Sequence, residues 1–190
     1  MENIPSGSRR SIRLQDYDYS QNGAYFVTIC TKNKKCLLGK VENGLMLMNE
    51  CGQFVLEAWQ DLPKRFMHVT LDYFVVMPNH IHGILHISPV WTTVKNATHS
   101  CMGAIHCAHS NHKGVMNHAP TLGELVRTLK ATSTRQIHLA GHDDFAWHRN
   151  YYEHVIRNEN SLNCIREYIE NNPQQLEFDH ENPAYSAPHP

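Results

Sequence analysis

Apolar positions along this chain change period several times, and each change marks an element. Ala24-Tyr-Phe-Val-Thr-Ile-Cys-Thr31 is β-branched and aromatic and follows Asn22-Gly23, which predicts a turn and then a strand. A basic turn, Lys32-Asn-Lys-Lys35, comes next, and Cys36-Leu-Leu-Gly with Leu45-Met-Leu-Met reads as a short return. From Asn49 the apolar residues Phe54, Val55, Ala58, Trp59 and Leu62 recur at three- and four-residue steps until Pro63, the pattern of an amphipathic helix. Two strand-like runs, Val69–Met77 and His80–Ile87, are joined by Pro78-Asn79 and predict a hairpin or a bent pair of strands. Residues 88–120 have no period and are rich in Ser, Thr, Asn, His, Gly and Ala, so they read as an inserted mobile loop. Thr121-Leu-Gly-Glu124 is a capping box opening a helix through Leu125, Val126, Leu129 and Ile137. Phe145-Ala-Trp147 and Tyr151–Ile156 look like strand, and Ser161 opens a last helix with Leu162, Ile165 and Ile169 on one face. Asn171-Asn-Pro173 closes it, because the residue before proline is disfavoured in helical geometry. A loose tail follows from about residue 176.

Strands alternating with helices, with hairpin-like joins, give an α+β class: an antiparallel sheet with helices mainly on one face, for which a ferredoxin-like arrangement is the natural candidate. At 190 residues and 41% hydrophobic content, a single domain over residues 1–190 with a real core is expected. The chain contains no apolar run long enough to span a bilayer, so no membrane association is expected. Its polar N-terminus lacks the apolar segment of a secretory signal. Six cysteines without a CxxC pair or a regular framework read as reduced thiols of a cytoplasmic protein. A net charge of −1 argues against a general nucleic-acid coat protein, but the charge is unevenly spread. Residues 1–40 carry seven Lys/Arg against three Asp/Glu, and residues 151–190 carry two against seven, so one basic face is compatible with a near-neutral total.

The candidate chemistry begins at His80-Ile81-His82. Residues i and i+2 of a strand point to one side, so two imidazoles project together while Ile81 enters the core. Two histidines plus an oxygen ligand leave open positions of the kind a catalytic metal uses. Hydrolysis by metal-bound water, phosphoryl transfer to a protein nucleophile and structural binding all remain open on these residues. His86 continues the same face but lies farther along the strand. A second pair, Tyr168 and Asn172, stands four residues apart on one helix face, a phenol and an amide oxygen side by side.

Three segments carry a resemblance: Tyr73-Phe-Val-Val-Met-Pro-Asn-His-Ile-His-Gly-Ile84, the stretch from Trp147 through Tyr151-Tyr-Glu-His-Val-Ile-Arg-Asn158, and Ile165-Arg-Glu-Tyr-Ile-Glu-Asn-Asn-Pro173. In order and spacing the chain resembles, over roughly residues 8–176, the REP-associated tyrosine transposases, relatives of the single-tyrosine HUH transposases of insertion sequences. That resemblance implies a DNA transposase that cleaves and rejoins single-stranded DNA, often beside a hairpin, through a 5′-phosphotyrosine. It implies Tyr168 as nucleophile, His80 and His82 as the HUH histidines, and Asn172 as an amide-type third ligand of a divalent metal, Mg2+ or Mn2+. Relatives include dimers, so a homodimer is left open. A phenol ordinarily titrates near about 10, so attack at neutral pH needs a cation or a proton acceptor nearby.

Candidate DNA contacts are Arg9, Arg10, Arg13, Lys32, Lys34, Lys35, Arg127, Lys130 and Arg135. Cys101, His106, Cys107, His109 and His112 fall in the 88–120 stretch at spacings of no recognised zinc finger, so a variable loop is the expected reading. Two alternatives stay beside the transposase: a hairpin-DNA-binding protein that mobilises nothing, and a metal-dependent hydrolase with water as nucleophile.

Overall fold

The computed structural model describes residues 22–88 and 120–178. In chain order the elements are β1 (Gly23–Cys30), β2 (Gly39–Glu42), β3 (Leu45–Met48), α1 (Glu50–Gln60), α2 (Leu62–Arg65), β4 (Val69–Val76), β5 (His80–Ile87), α3 (Leu122–Leu139), β6 (Tyr152–Ile156) and α4 (Glu159–Asn171). Short 3-10 segments lie at Lys32–Lys34 and Asn172–Phe178. Four strands form one sheet in the order β4-β5-β1-β6, antiparallel at every junction, and β2 and β3 form a separate hairpin. The class is α+β, and the main-sheet strands and the three long helices succeed each other as β-α-β-β-α-β-α.

Sequence explains most joins. Met77 N–H donates to the His80 carbonyl across Pro78-Asn79, closing the β4–β5 turn. Asn43 and Gly44 both take positive φ, 51° and 73°, as the tight turn between β2 and β3 requires. Thr121 and Glu124 form the expected capping box, and Asn49 caps α1 by accepting from the Gly52 N–H. The alternation along β1 and β5 sorts residues to two faces. Tyr25, Val27, Ile29, Ile81 and Leu85 pack in one core with Val55 and Trp59 of α1 and with Leu125 and Leu129 of α3. Phe26 and Ile84 pack on the other side with Ile156 and with Leu162 and Ile169 of α4. Two long helices therefore share one face, and α4 occupies the opposite one.

Three sequence expectations are corrected. Phe145-Ala-Trp147 is not a strand: Trp147 makes a single bridge to Thr31, while the Phe145 side chain is spent on the core. The last helix begins at Glu159, not Ser161, because Asn158 caps it by accepting from the Ser161 N–H at 2.8 Å. Pro173 does not expel Asn172 from helical geometry; Asn172 keeps φ −56° and ψ −41°, and the chain tightens into the 3-10 segment. The 88–120 stretch lies outside the described residues except for Ser88 and Pro120, as do Arg9, Arg10, Arg13 and the tail beyond residue 178.

Candidate active site

The α4-facing side of the sheet gathers the polar residues. His80 and His82 are both buried, at 0% and 2% exposure, although each is a polar ring on a strand surface. Burial at that level calls for partners at every ring nitrogen. Asn79 Oδ1 accepts from His80 Nδ1 at 2.7 Å, and the Asn79 amide is itself oriented because its Nδ2 donates to the Lys34 carbonyl at 3.3 Å. His80 Nε2 is then the nitrogen carrying the lone pair. Thr28, directly opposite His82 on β1, places its Oγ1 2.8 Å from His82 Nδ1. Phe26 stacks on the His82 ring with centroids 5.4 Å apart, fixing the ring plane.

These supports leave the two Nε2 atoms facing each other at 3.0 Å. The Thr28 hydroxyl can donate to His82 Nδ1, and in that tautomer His82 Nε2–H donates to the lone pair on His80 Nε2. Tyr168 from α4 completes the group, its hydroxyl 3.2 Å from His82 Nε2 within the same chain. Tyr168 as a residue is 41% exposed. One turn later Asn172 is 1% exposed, and its Oδ1 has no hydrogen-bond partner among the described residues. A buried acceptor left unmatched costs on the order of 1–3 kcal/mol, so an oxygen in this state suits a cation ligand. His80, His82 and Asn172 could thus hold a divalent ion that accepts mixed nitrogen and oxygen donors. No cluster of three His, Cys, Asp or Glu side chains with metal-holding geometry occurs among the described residues.

α4 is tied to the sheet by charge as well as by its apolar stripe. Arg166, two residues before Tyr168, grips Asp72 of β4 with both ends of the carboxylate, Nη2–Oδ2 at 2.7 Å and Nε–Oδ1 at 3.2 Å. His86 Nε2 lies 3.0 Å from the same Oδ2, so His86 turns to Asp72 rather than to the histidine pair. Burial alone would raise the Asp72 pKa, but the hydrogen bonds from Arg166 and His86 and the Arg166 charge outweigh it and hold the carboxyl below its ordinary range.

The other predicted contacts separate. Lys32, Lys34 and Lys35 are exposed on the turn after β1; Lys34 lines the cleft that Thr28 also lines, and Lys32 and Lys35 line a separate one with Asp144. Arg127 and Arg135 lie on α3 and border a groove of about 950 Å3 with Trp147 and Tyr151, and this larger groove includes none of His80, His82 or Tyr168. Lys130 spends its three N–H donors on the carbonyls of His148, Arg149 and Asn150, and burial pushes its ammonium down to about 8, so it anchors that segment. Sequence reasoning missed Thr28, Asn79, Phe26 and the Asp72–Arg166 pair. Asn79 was adjacent to His80 and could have been found; Thr28 and Phe26 meet His82 only through strand register, and Asp72 meets Arg166 only because α4 packs on the sheet.

Among the described residues no helix is long and apolar enough to cross a membrane. No protein-family model matches the chain. It is 40% identical over 173 residues to an uncharacterized protein of Haemophilus influenzae (strain ATCC 51907 / DSM 11121 / KW20 / Rd), covering 90% of this chain and 91% of that one. Among solved structures it is similar to a REP-associated tyrosine transposase bound to a REP hairpin, with TM-score 0.54 and 17% identity over 90% of this chain and 76% of that one. It is also similar to a protein of Deinococcus radiodurans R1 provisionally described as a transposase, with TM-score 0.46 and 17% identity over 85% and 97% of the two chains. The protein belongs to one family with the Haemophilus influenzae protein, and its fold is that of the REP-associated tyrosine transposase.

Proposed function

We propose that this protein is a transposase-type enzyme that cleaves and rejoins single-stranded DNA, with Tyr168 as the nucleophile. The carrying observation is the approach of the Tyr168 hydroxyl to within 3.2 Å of a histidine pair whose own Nε2 atoms are 3.0 Å apart. In the forward step the Tyr168 oxygen bonds to the scissile phosphorus and the bond from phosphorus to the 3′ oxygen breaks. Net, the phenolic proton ends on the departing 3′ hydroxyl, and the 5′ phosphate stays on tyrosine. Phosphodiester replaces phosphodiester, so the linkage keeps the energy needed to rejoin. His80, His82 and Asn172 are the residues that would hold Mg2+ or Mn2+, and a bound ion there would offset the charge that grows on the phosphoryl oxygens. Asn79 and Thr28 keep both rings aimed at that position. Because Tyr168 meets the histidines of its own chain, a homodimer is not needed to assemble the site. A hairpin bearing single-stranded flanks is the proposed substrate, and the bound REP hairpin of the similar structure supports the choice.

The test is incubation of the protein with Mn2+ and labelled hairpin DNA carrying single-stranded flanks, followed by denaturing electrophoresis. A DNA–protein adduct is expected, and Tyr168→Phe should remove it while retaining DNA binding. If the wild-type protein forms no adduct with either Mn2+ or Mg2+, the reading fails. If Tyr168→Phe still cuts at a similar rate, the chemistry is hydrolysis by water.

A further inference from the structure

We infer that the cleft where residues 148–152 meet the end of β1 binds an unpaired nucleotide of the substrate strand, with Tyr152 as its stacking platform. This rests on the proposed cleavage of single-stranded DNA and assigns where that strand runs. The register across the sheet is the starting point. His82 is opposite Thr28, and Thr28 is opposite Tyr152 on the other side, so the three stand in one cross-strand row. Residues directly opposite in neighbouring strands share a face. Tyr152 is therefore on the same side of the sheet as the histidine pair, two strand spacings or about 10 Å from His82.

An extended single strand covers that distance within a few nucleotides. The α4 stripe covers the sheet around Phe26, Ile84 and Ile156. Beyond it, Tyr152 is 55% exposed on an edge strand. Beside it opens a cleft of about 450 Å3 lined by Thr28, Cys30, Lys34, Asn150 and Tyr152 among others. That volume lies in the range of small-ligand sites. The lining supplies what an unpaired nucleotide needs: a ring for the base, the Asn150 amide for a base edge, and a Lys34 ammonium for phosphate. Thr28 belongs both to the cleft wall and to the support of His82. The cleft thus shares a wall residue with the support of the reacting centre, which the larger groove on α3 does not.

The decisive measurement is fluorescence anisotropy on a Tyr168→Phe background, so that no cleavage intervenes. The probes are a fluorescein-labelled hairpin with single-stranded flanks and the same hairpin without them. Tyr152→Ala should weaken binding of the flanked hairpin roughly ten-fold or more, a typical loss for one stacked base. It should leave binding of the flankless hairpin unchanged, and Tyr152→Phe should restore the loss. An unchanged thermal midpoint for Tyr152→Ala shows that the exposed ring was removed without unfolding. Equal affinity of Tyr152→Ala and its parent for the flanked hairpin overturns this inference, as does an equal loss for both probes or failure of Tyr152→Phe to rescue. Those results leave adduct formation by the wild-type enzyme intact; absence of the adduct sinks the function reading itself.

Discussion

The imidazoles of His80 and His82 differ from ordinary strand histidines in having every ring nitrogen assigned. Asn79 holds one Nδ1, Thr28 holds the other, and the two Nε2 atoms stand 3.0 Å apart with the Tyr168 hydroxyl 3.2 Å from that of His82. Partners that orient a ligating histidine typically alter metal affinity 10- to 100-fold when removed. Thr28→Val keeps the shape of the side chain and removes the hydroxyl, so it should weaken Mn2+ binding by about ten-fold or more, read by calorimetric titration. Unchanged affinity would separate Thr28 from the site. Asn172→Ala is expected to weaken the same titration, because it removes a buried amide oxygen that has no partner among the described residues. The histidine pair was legible from its spacing alone. Thr28 was not, since a threonine fifty-four positions away becomes a neighbour only when β1 and β5 pair.

Helix α4 carries the nucleophile and depends on two kinds of contact. Its apolar stripe of Leu162, Ile165 and Ile169 was readable by period, but the Arg166–Asp72 clamp links positions ninety-four residues apart and was not. The Asp72 carboxyl is held below its ordinary range, so its contribution to stability is full above the unfolded carboxyl value near 3.8 and is lost as pH falls below that. Asp72→Asn should therefore flatten the acid limb of urea midpoint against pH, and an identical acid limb would show that the clamp contributes nothing. A second element-scale constraint sits under the histidine strand. A Cβ added at Gly83 would meet Trp59 at 2.5 Å, and Trp59 is itself stacked on Phe74. Gly83→Ala should cost about 1–3 kcal/mol in urea unfolding, the usual range for overpacking a core. The helical pattern of α1 was plain in the sequence; that its tryptophan needs a glycine on β5 was not.

For the whole molecule, a net charge of −1 leaves DNA affinity to the placement of a few cations. Lys32, Lys34 and Lys35 stand on the turn after β1, with Lys34 lining the Tyr152 cleft and Lys32 and Lys35 a neighbouring one, whereas Arg127 and Arg135 stand on α3 beside a different groove. Each phosphate contact to a single strand contributes about 0.7 to the slope of log affinity against log salt. Replacing the three lysines with glutamine should flatten that slope by about 2 if all three engage the strand, and replacing Arg127 and Arg135 should leave it nearly unchanged. The reverse result would route the strand over α3. The amino-acid sequence by itself determined the α+β class, the main strands and helices and the pairing of His80 with His82, because period, caps and turns act over a few residues. Tertiary structure alone decided that α4 crosses to the far face, that Lys130 is occupied by carbonyls, and that Tyr168 stands 3.2 Å from His82. Those outcomes depend on strand order and register, which bring together residues that local sequence cannot relate.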